Sequence, residues 1–319
     1  MMTVQNPAVS TLPERNVLVA FLFFILVAGG ASVAIRITYG ELAPFWAATA
    51  RFTFGALVFW IIMAIRKMPI PKGRALLGAV IFGVLTTGLS FLLVAWALVV
   101  IPASLYQILM ALVPLLTLFL SAIHGIESIN LRGIAGALLA VLGIVVTVGG
   151  ASTANFSLPH IAAVVLAAGF MAEGGVLIKK FPPNPPVATN AIAMTTGSII
   201  LGAASLINGE KWTLPTQTNT LLAFGYLVFI VTIFAFLLYM FVLGKWTASG
   251  TSYGFVIIPL VTMVVASTVA GETITPNFLL GAVLVLAGVF VGALLPSKTK
   301  HAEIEECKDR AGQVLPRCT

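Results

Sequence analysis

The chain is short of charge. Asp, Glu, Lys and Arg make up only 8% of its 319 residues, against 60% hydrophobic, and mean hydropathy is +1.10. A soluble domain carries about 25% charged residues. No water-exposed globular surface can be built here, so a soluble enzyme is excluded. Disorder is excluded as well, because it needs low hydrophobicity. A membrane β-barrel fails too, since its strands alternate apolar and polar residues and the apolar runs here are continuous. Cysteine is nearly missing: Cys307 and Cys318 lie in the polar tail. That leaves no disulfide framework, thiolate metal site or redox pair. Asp309 is the only aspartate. His124 and His160 stand far apart, so no metal site is expected. The one Gly-Lys pair, Gly244-Lys245, runs into Trp246, and a phosphate loop needs Ser or Thr there. No cofactor is expected, and energy has to come from a gradient or a separate subunit. No enzymatic role is expected either, for no His/Asp or Glu/His pair stands at one depth.

What is present is length in apolar runs. A hydrocarbon core about 30 Å thick needs roughly 20 apolar residues as helix. Ten such runs occur: 17–35, 43–65, 75–99, 103–123, 133–150, 158–178, 187–207, 219–243, 249–269 and 276–296. The expected fold is an all-α polytopic membrane protein of ten transmembrane helices, embedded in a lipid bilayer. Only Arg51 and Glu173 bring charge inside a run.

Lysine and arginine set the orientation. With the N-terminus in the cytoplasm, the inside segments hold 14 of them and the outside loops hold Arg36 and Lys211 alone. That asymmetry is a positive-inside signal. It explains the net charge of +7 without nucleic acid, which is not an expected partner. Both termini are expected in the cytoplasm. The five tryptophans fall near span ends or in loops, as an interfacial belt would place them.

The chain also repeats itself. At a shift of 145, residues 74–149 align without a gap on 219–294, with 19 of 76 identical. Pro114 meets Pro259, Thr117 meets Thr262, Glu127 meets Glu272, and Gly136 and Gly143 meet Gly281 and Gly288. Arg36 falls opposite Lys179 at a shift of 143. Five helices per repeat is odd, so the second copy crosses the membrane inverted. Inverted repeats are a secondary-transporter architecture, with the site near the midplane between halves. The organisation expected is a cytoplasmic segment 1–16, a first repeat 17–150, a second inverted repeat 151–296, and a polar cytoplasmic tail 297–319.

Each half ends on Pro…Glu…Gly-Ala…Gly followed by Ile or Val: Pro114, Glu127, Gly136, Ala137, Gly143, Ile144, then Pro259, Glu272, Gly281, Ala282, Gly288, Val289. With ten spans and Pro44…Ala50-Arg51-Phe52, the chain resembles the drug/metabolite transporter superfamily, EamA type, over about 17–296. Gly29-Gly30-Ala31-Ser32 stands where many members carry a Trp-Gly-Ser-Asn-like run. The resemblance implies export or exchange of amino acids and other small metabolites across the inner membrane.

The candidate site follows from breaks and polar residues. Pro114 and Pro259 each free a carbonyl four residues earlier, on Met110 and Phe255. Around them lie Tyr106, Gln107, Thr87, Ser90, Thr232, Ser252 and Tyr253, a largely apolar and nearly uncharged lining for a small amphipathic substrate. Arg51 suits a substrate carboxylate. Glu173, the one acid well inside a span, suits proton coupling. Glu127 with Lys179 and Lys180 inside, and Glu272 with Arg36 or Arg51 outside, are expected to close the two mouths alternately. The competing expectation has each glutamate capping the helix that follows it. The repeated glycines of the fifth and tenth spans are expected to pack, against each other or in a homodimer. The function expected is alternating-access export or exchange of amphipathic metabolites, amino acids first. A proton-coupled multidrug exporter and a non-transporting membrane subunit are the rival readings.

Overall fold

The fold is seen in a computed structural model, which describes residues 14–125, 131–149, 157–245 and 254–294. Those residues form ten helical rods, and among them there is no strand. The rods are α1 (Arg15–Thr38), α2 (Pro44–Ile65), α3 (Gly73–Leu98), α4 (Ala103–Ile123), α5 (Leu131–Val148), α6 (Leu158–Lys180), α7 (Pro186–Ile207) and α8 (Thr218–Tyr239, helical on to Lys245). These eight are long and apolar enough to cross a membrane. The shorter apolar helices α9 (Gly254–Val269) and α10 (Pro276–Gly292) complete an all-α polytopic fold. Every expected span has its rod, although the start of the ninth lies outside the described residues, as do Glu127, Ser252, Tyr253 and the tail.

Local chemistry sets several boundaries. Pro44, Pro159, Pro186 and Pro276 stand in the first turns of α2, α6, α7 and α10. A missing N–H costs nothing there. Gly209 and Gly271 end α7 and α9 at positive φ. Each turns the chain so that the next N–H, of Glu210 or Glu272, returns to the carbonyl of Ser205 or Ala266 at 3.0 Å. The first is the Schellman closure, and the second reaches one residue further back.

The spans are irregular in a patterned way. α1 breaks at Gly30, and two side chains catch the carbonyls exposed beside the break. Thr262 Oγ1 donates to Gly29 O at 2.7 Å, and the Tyr226 hydroxyl donates to Val27 O. In lipid such groups must find partners inside the protein. α4 divides into Ala103–Met110 and Val113–Ile123, with Pro114 in the first turn of the second piece. Pro259, its counterpart, sits inside a continuous α9. The two prolines therefore do different things in equivalent helices. α3 and α8 each contain π-helical turns, Gly83–Leu89 and Tyr226–Phe234. The shift of 145 carries 83–89 onto 228–234, so the two segments are equivalent.

Glycines let equivalent helices meet. A Cβ on Gly136 would lie 2.5 Å from Gly288 O, and one on Gly288 would lie 2.5 Å from Gly136 O. Gly143 and Gly281 face each other likewise, at 2.7 and 2.6 Å. The glycine stripes of α5 and α10 thus meet within one chain. Small residues permit this close approach of backbones. α2 packs on α7, where Trp60 Nε1 donates to Thr195 Oγ1 at 3.0 Å. α3 is clasped to α6 by Ser90 Oγ donating to Ala167 O at 2.9 Å.

Candidate functional site

Arg51 is the centre of the site. It projects from α2 and is buried at 8% exposure. Its Nε donates to Thr232 Oγ1, on the π-helical part of α8, at 2.8 Å. Its guanidinium carbon lies 5.2 Å from the centroid of Phe52 and 5.7 Å from that of Phe91, on α3. Tyr39, Tyr106 and Tyr226 are near enough to interact with it electrostatically. Among the described residues no carboxylate pairs with it. A charge inside a span is a functional hypothesis by default. Beside it lies a small cavity of about 20 Å³, room for about one water, whose lining includes Thr38, Tyr39, Phe91, Val94 and Leu227. The geometry offers a cation, two hydroxyls and apolar walls.

The sequence candidates divide. Arg51 and Thr232 come together directly. Tyr106 and Met110 are buried on the first piece of α4, and Gln107 beside them is half-buried with no side-chain hydrogen bond among the described residues. Thr87 meets α7 instead of the cavity, because a Cβ on Gly197 would lie 2.5 Å from its methyl. Ser90 is engaged by α6. Pro114 is half-buried at the break and Pro259 is buried within α9. Phe255 lies on the backbone of α9, while Ser252, Tyr253 and Glu127 lie outside the described residues.

The charge-poor end is laced by three glutamates. Each accepts backbone N–H groups at the start of a helix it does not belong to. Glu272 takes Ala103 N at 2.7 Å, Ser104 N at 3.2 Å and the Ser104 hydroxyl at 2.5 Å, at the start of α4, and pairs with Arg36 Nη1 at 2.9 Å. Glu210 takes Phe45 N at 3.2 Å and Trp46 N at 2.8 Å, at the start of α2, and the Ser205 hydroxyl. Glu41 takes the hydroxyl and N–H of Thr216 and the N–H of Gln217, before α8. The hydroxyl of Thr216, backed by those N–H groups, holds the Glu41 carboxyl down at about 2. A carboxylate at a helix N-terminus satisfies orphan donors and complements the dipole.

This corrects the capping expectation for Glu272. The cap of α10 is Thr275, whose side chain accepts from Phe278 N at 3.2 Å. Glu272 caps α4 and holds Arg36 at once, so pairing and capping are one structure. Arg51 takes no part in it. Glu41 and Glu210 were not expected as caps at all. The signal was available: Gly40-Glu41, Gly209-Glu210 and Gly271-Glu272 are three Gly-Glu steps, each beside a turn at this end.

At the basic end, Glu173 Oε1 meets His124 Nε2 at 2.7 Å, and His124 Nδ1 meets Lys180 Nζ at 2.9 Å. Lys180 therefore engages His124, and the contact of His124 with Glu173 corrects the expectation that no Glu/His pair stands at one depth, since the fold joins the ends of α4 and α6. Lys179 is exposed. No group of three metal-binding side chains occurs among the described residues. A second, wider apolar groove of about 370 Å³ opens between α2, the start of α8 and the loop before it, under the stacked rings of Trp46 and Trp212, whose centroids lie 4.5 Å apart.

Comparison with known proteins bears on this geometry. An "Uncharacterized inner membrane transporter YedA" of Escherichia coli is 28% identical over 293 residues, covering 89% of this chain and 94% of the relative. A "Probable amino-acid metabolite efflux pump" of Salmonella typhimurium is 26% identical over 287 residues, covering 85% and 92%. An "Uncharacterized transporter" of Archaeoglobus fulgidus is 26% identical over 272 residues, covering 82% and 93%. A solved crystal structure, 18% identical, superposes with a TM-score of 0.58 over 88% of this chain and 98% of its own, which speaks to the fold. The model of the EamA-like transporter family matches residues 16–149 and 158–293. The match takes in both five-helix stretches, and the chain belongs to the EamA-like transporter family, within the drug/metabolite transporter superfamily.

Proposed function

We propose that the chain is a secondary transporter of the inner membrane that exports or exchanges small carboxylate-bearing metabolites, amino acids first, by alternating access. The basic end faces the cytoplasm in this reading, because cytoplasmic loops carry the excess of Lys and Arg. One observation carries the substrate class: Arg51 is a buried cation beside a cavity, with no carboxylate partner among the described residues. A charge at the bilayer centre costs about 2.5–3.5 kcal/mol on insertion scales. A substrate carboxylate supplies the missing countercharge and takes the fork of guanidinium N–H donors. The cavity as it stands is closed, with room for about one water; once it widens in the transport cycle, Phe91, Val94 and Leu227 suit an apolar side chain, and the hydroxyls of Thr38 and Tyr39 suit an ammonium. The name of the Salmonella relative supports the same class. Arg51 also argues against the multidrug reading, since it repels the cationic centre common in drugs. The cluster of Arg36, Glu272 and Ser104 serves as the outer closure, open in one state and made in the other.

The test is counterflow of labelled L-leucine and L-phenylalanine into proteoliposomes. Arg51→Gln is expected to lower flux about tenfold to a hundredfold, the loss of a charged hydrogen-bond partner. Arg51→Lys, a charge without the fork, recovers part of it. Undiminished flux in Arg51→Gln sinks the proposal.

A further inference from the structure

Lys180, His124 and Glu173 form a row of hydrogen-bonding contacts at the basic end. A lysine ammonium has donors only. With Lys180 charged, its Nζ at 2.9 Å is matched by His124 Nδ1 as acceptor, which leaves Nε2 as the N–H facing Glu173 Oε1 at 2.7 Å. Glu173 Oε2 is buried and has no partner among the described residues, so the carboxyl group is only half satisfied. α3 faces this part of α6 with Phe82, Leu85 and Thr86, all uncharged, packed around Gly174. Among the described residues no other titratable group lies within hydrogen-bond range of His124 or Glu173.

We propose that His124 Nδ1 is a proton-binding site in competition with Lys180 Nζ, and that proton uptake there unlatches the end of α6 from α4. The balance is simple. A proton from water forms an N–H bond at Nδ1. The hydrogen bond from Lys180 is lost, the ammonium keeps its three protons, and the imidazolium still donates from Nε2 to Glu173. Imidazole changes charge between about pH 5 and 8, the range in which cells work. The unlatched segment is well placed to matter. Phe181, next to Lys180, packs on Gly78 of α3, and Asn184 Nδ2 donates to Ala75 O at 2.8 Å. The loop into α7 is thus fastened to α3, and Lys180 links it to α4. The inference deepens the transport reading and rests on it for coupling: the proton gradient would act at the cytoplasmic mouth.

The test uses the full chain in lipid nanodiscs with 15N-labelled histidine. The chain has three histidines, and His124→Gln identifies the ring. Near pH 6.5, Lys180→Met is expected to raise the imidazolium-to-imidazole ratio at His124 about tenfold, and Glu173→Gln to lower it by a similar factor, as single neighbouring charges do. An unchanged ratio in Lys180→Met overturns the competition. The second arm is L-leucine counterflow at a series of internal pH values. Lys180→Met, which lacks the latch, is expected to flatten the pH profile, and Glu173→Gln, which keeps it, to displace the profile toward lower pH in step with the ring. A ring that shifts while the flux profile stays fixed overturns the coupling. Failure of the transport reading is recognised separately: no counterflow at any pH, with the ring still responding to Lys180→Met.

Discussion

Two contacts in this molecule are built alike and end differently. α8 meets α2 where Thr232 faces Gly55, and α3 meets α7 where Thr87 faces Gly197. A Cβ on Gly55 would lie 2.7 Å from the Thr232 methyl, and one on Gly197 would lie 2.5 Å from the Thr87 methyl. The repeat relates Thr87 to Thr232, and the two glycines follow. Four residues before Gly55 stands Arg51; four before Gly197 stands Ala193. On the α3 side, Gly83 lies against Ala193, where a Cβ would come 2.6 Å from the Ala193 Cα. On the α8 side, Val228 occupies the position equivalent to Gly83. One contact is sealed backbone to backbone. The other is held apart and contains the cation and its cavity. The two joints are alike, and the buried cation stands at one of them alone.

The severest way to break this comparison is to place the charge on the sealed side. Ala193→Arg puts a cation against the Gly83 backbone with no partner, at a cost of about 3 kcal/mol on insertion scales. It is expected to reduce the monodisperse fraction in gel filtration and to lower the unfolding temperature sharply. A well-folded variant means that α3 and α7 are less closed than drawn. Next comes a matched pair of substitutions. Thr232→Val removes the acceptor of Arg51 Nε and is expected to lower L-leucine counterflow about tenfold, the worth of a hydrogen bond to a charged group. Thr87→Val disturbs no side-chain hydrogen bond among the described residues and is expected to leave flux within about twofold. Equal effects at both threonines would erase the distinction.

Smaller effects lie at the charge-poor ends of the same helices. Glu210→Gln weakens the cap of α2 and is expected to lower stability by about 1 kcal/mol, read as a fall in the unfolding temperature. Acid acts on α8 through Glu41. Its carboxyl is held at about 2, below the ordinary 4.5. The contribution is present above the ordinary value and is lost as pH falls from about 4.5 toward 2. Glu41→Gln is expected to flatten that part of the stability profile.

Much of the fold was legible because its signal is one-dimensional. Continuous apolar length gives spans, and matched Pro, Glu and Gly give the repeat. The glycine stripes predicted close packing, and α5 and α10 pack on each other. Arg51 was legible as an intramembrane charge, but Thr232 was one of several scattered hydroxyls until α8 carried it across. The π-helical turns left no trace in hydropathy, since one extra residue per turn does not change apolar content. In α3 the π-helical segment begins where Gly83 lies against Ala193. Ser90 and Thr87 read as lining because sequence gives depth without azimuth, and azimuth sends them to α6 and α7. His124 was misjudged as unpaired. Its partners, 49 and 56 residues away, are joined to it by the fold alone.

The reciprocal glycine seam between α5 and α10 has a consequence for how the chain can be assembled. Each half carries, on its own last helix, a groove shaped for the last helix of the other. The halves hold complementary surfaces independent of the loop that connects them. Cut between α5 and α6 and produced as two polypeptides in one cell, they have the means to find each other. Produced alone, either half presents an unfilled backbone groove whose nearest available fit is a second copy of itself.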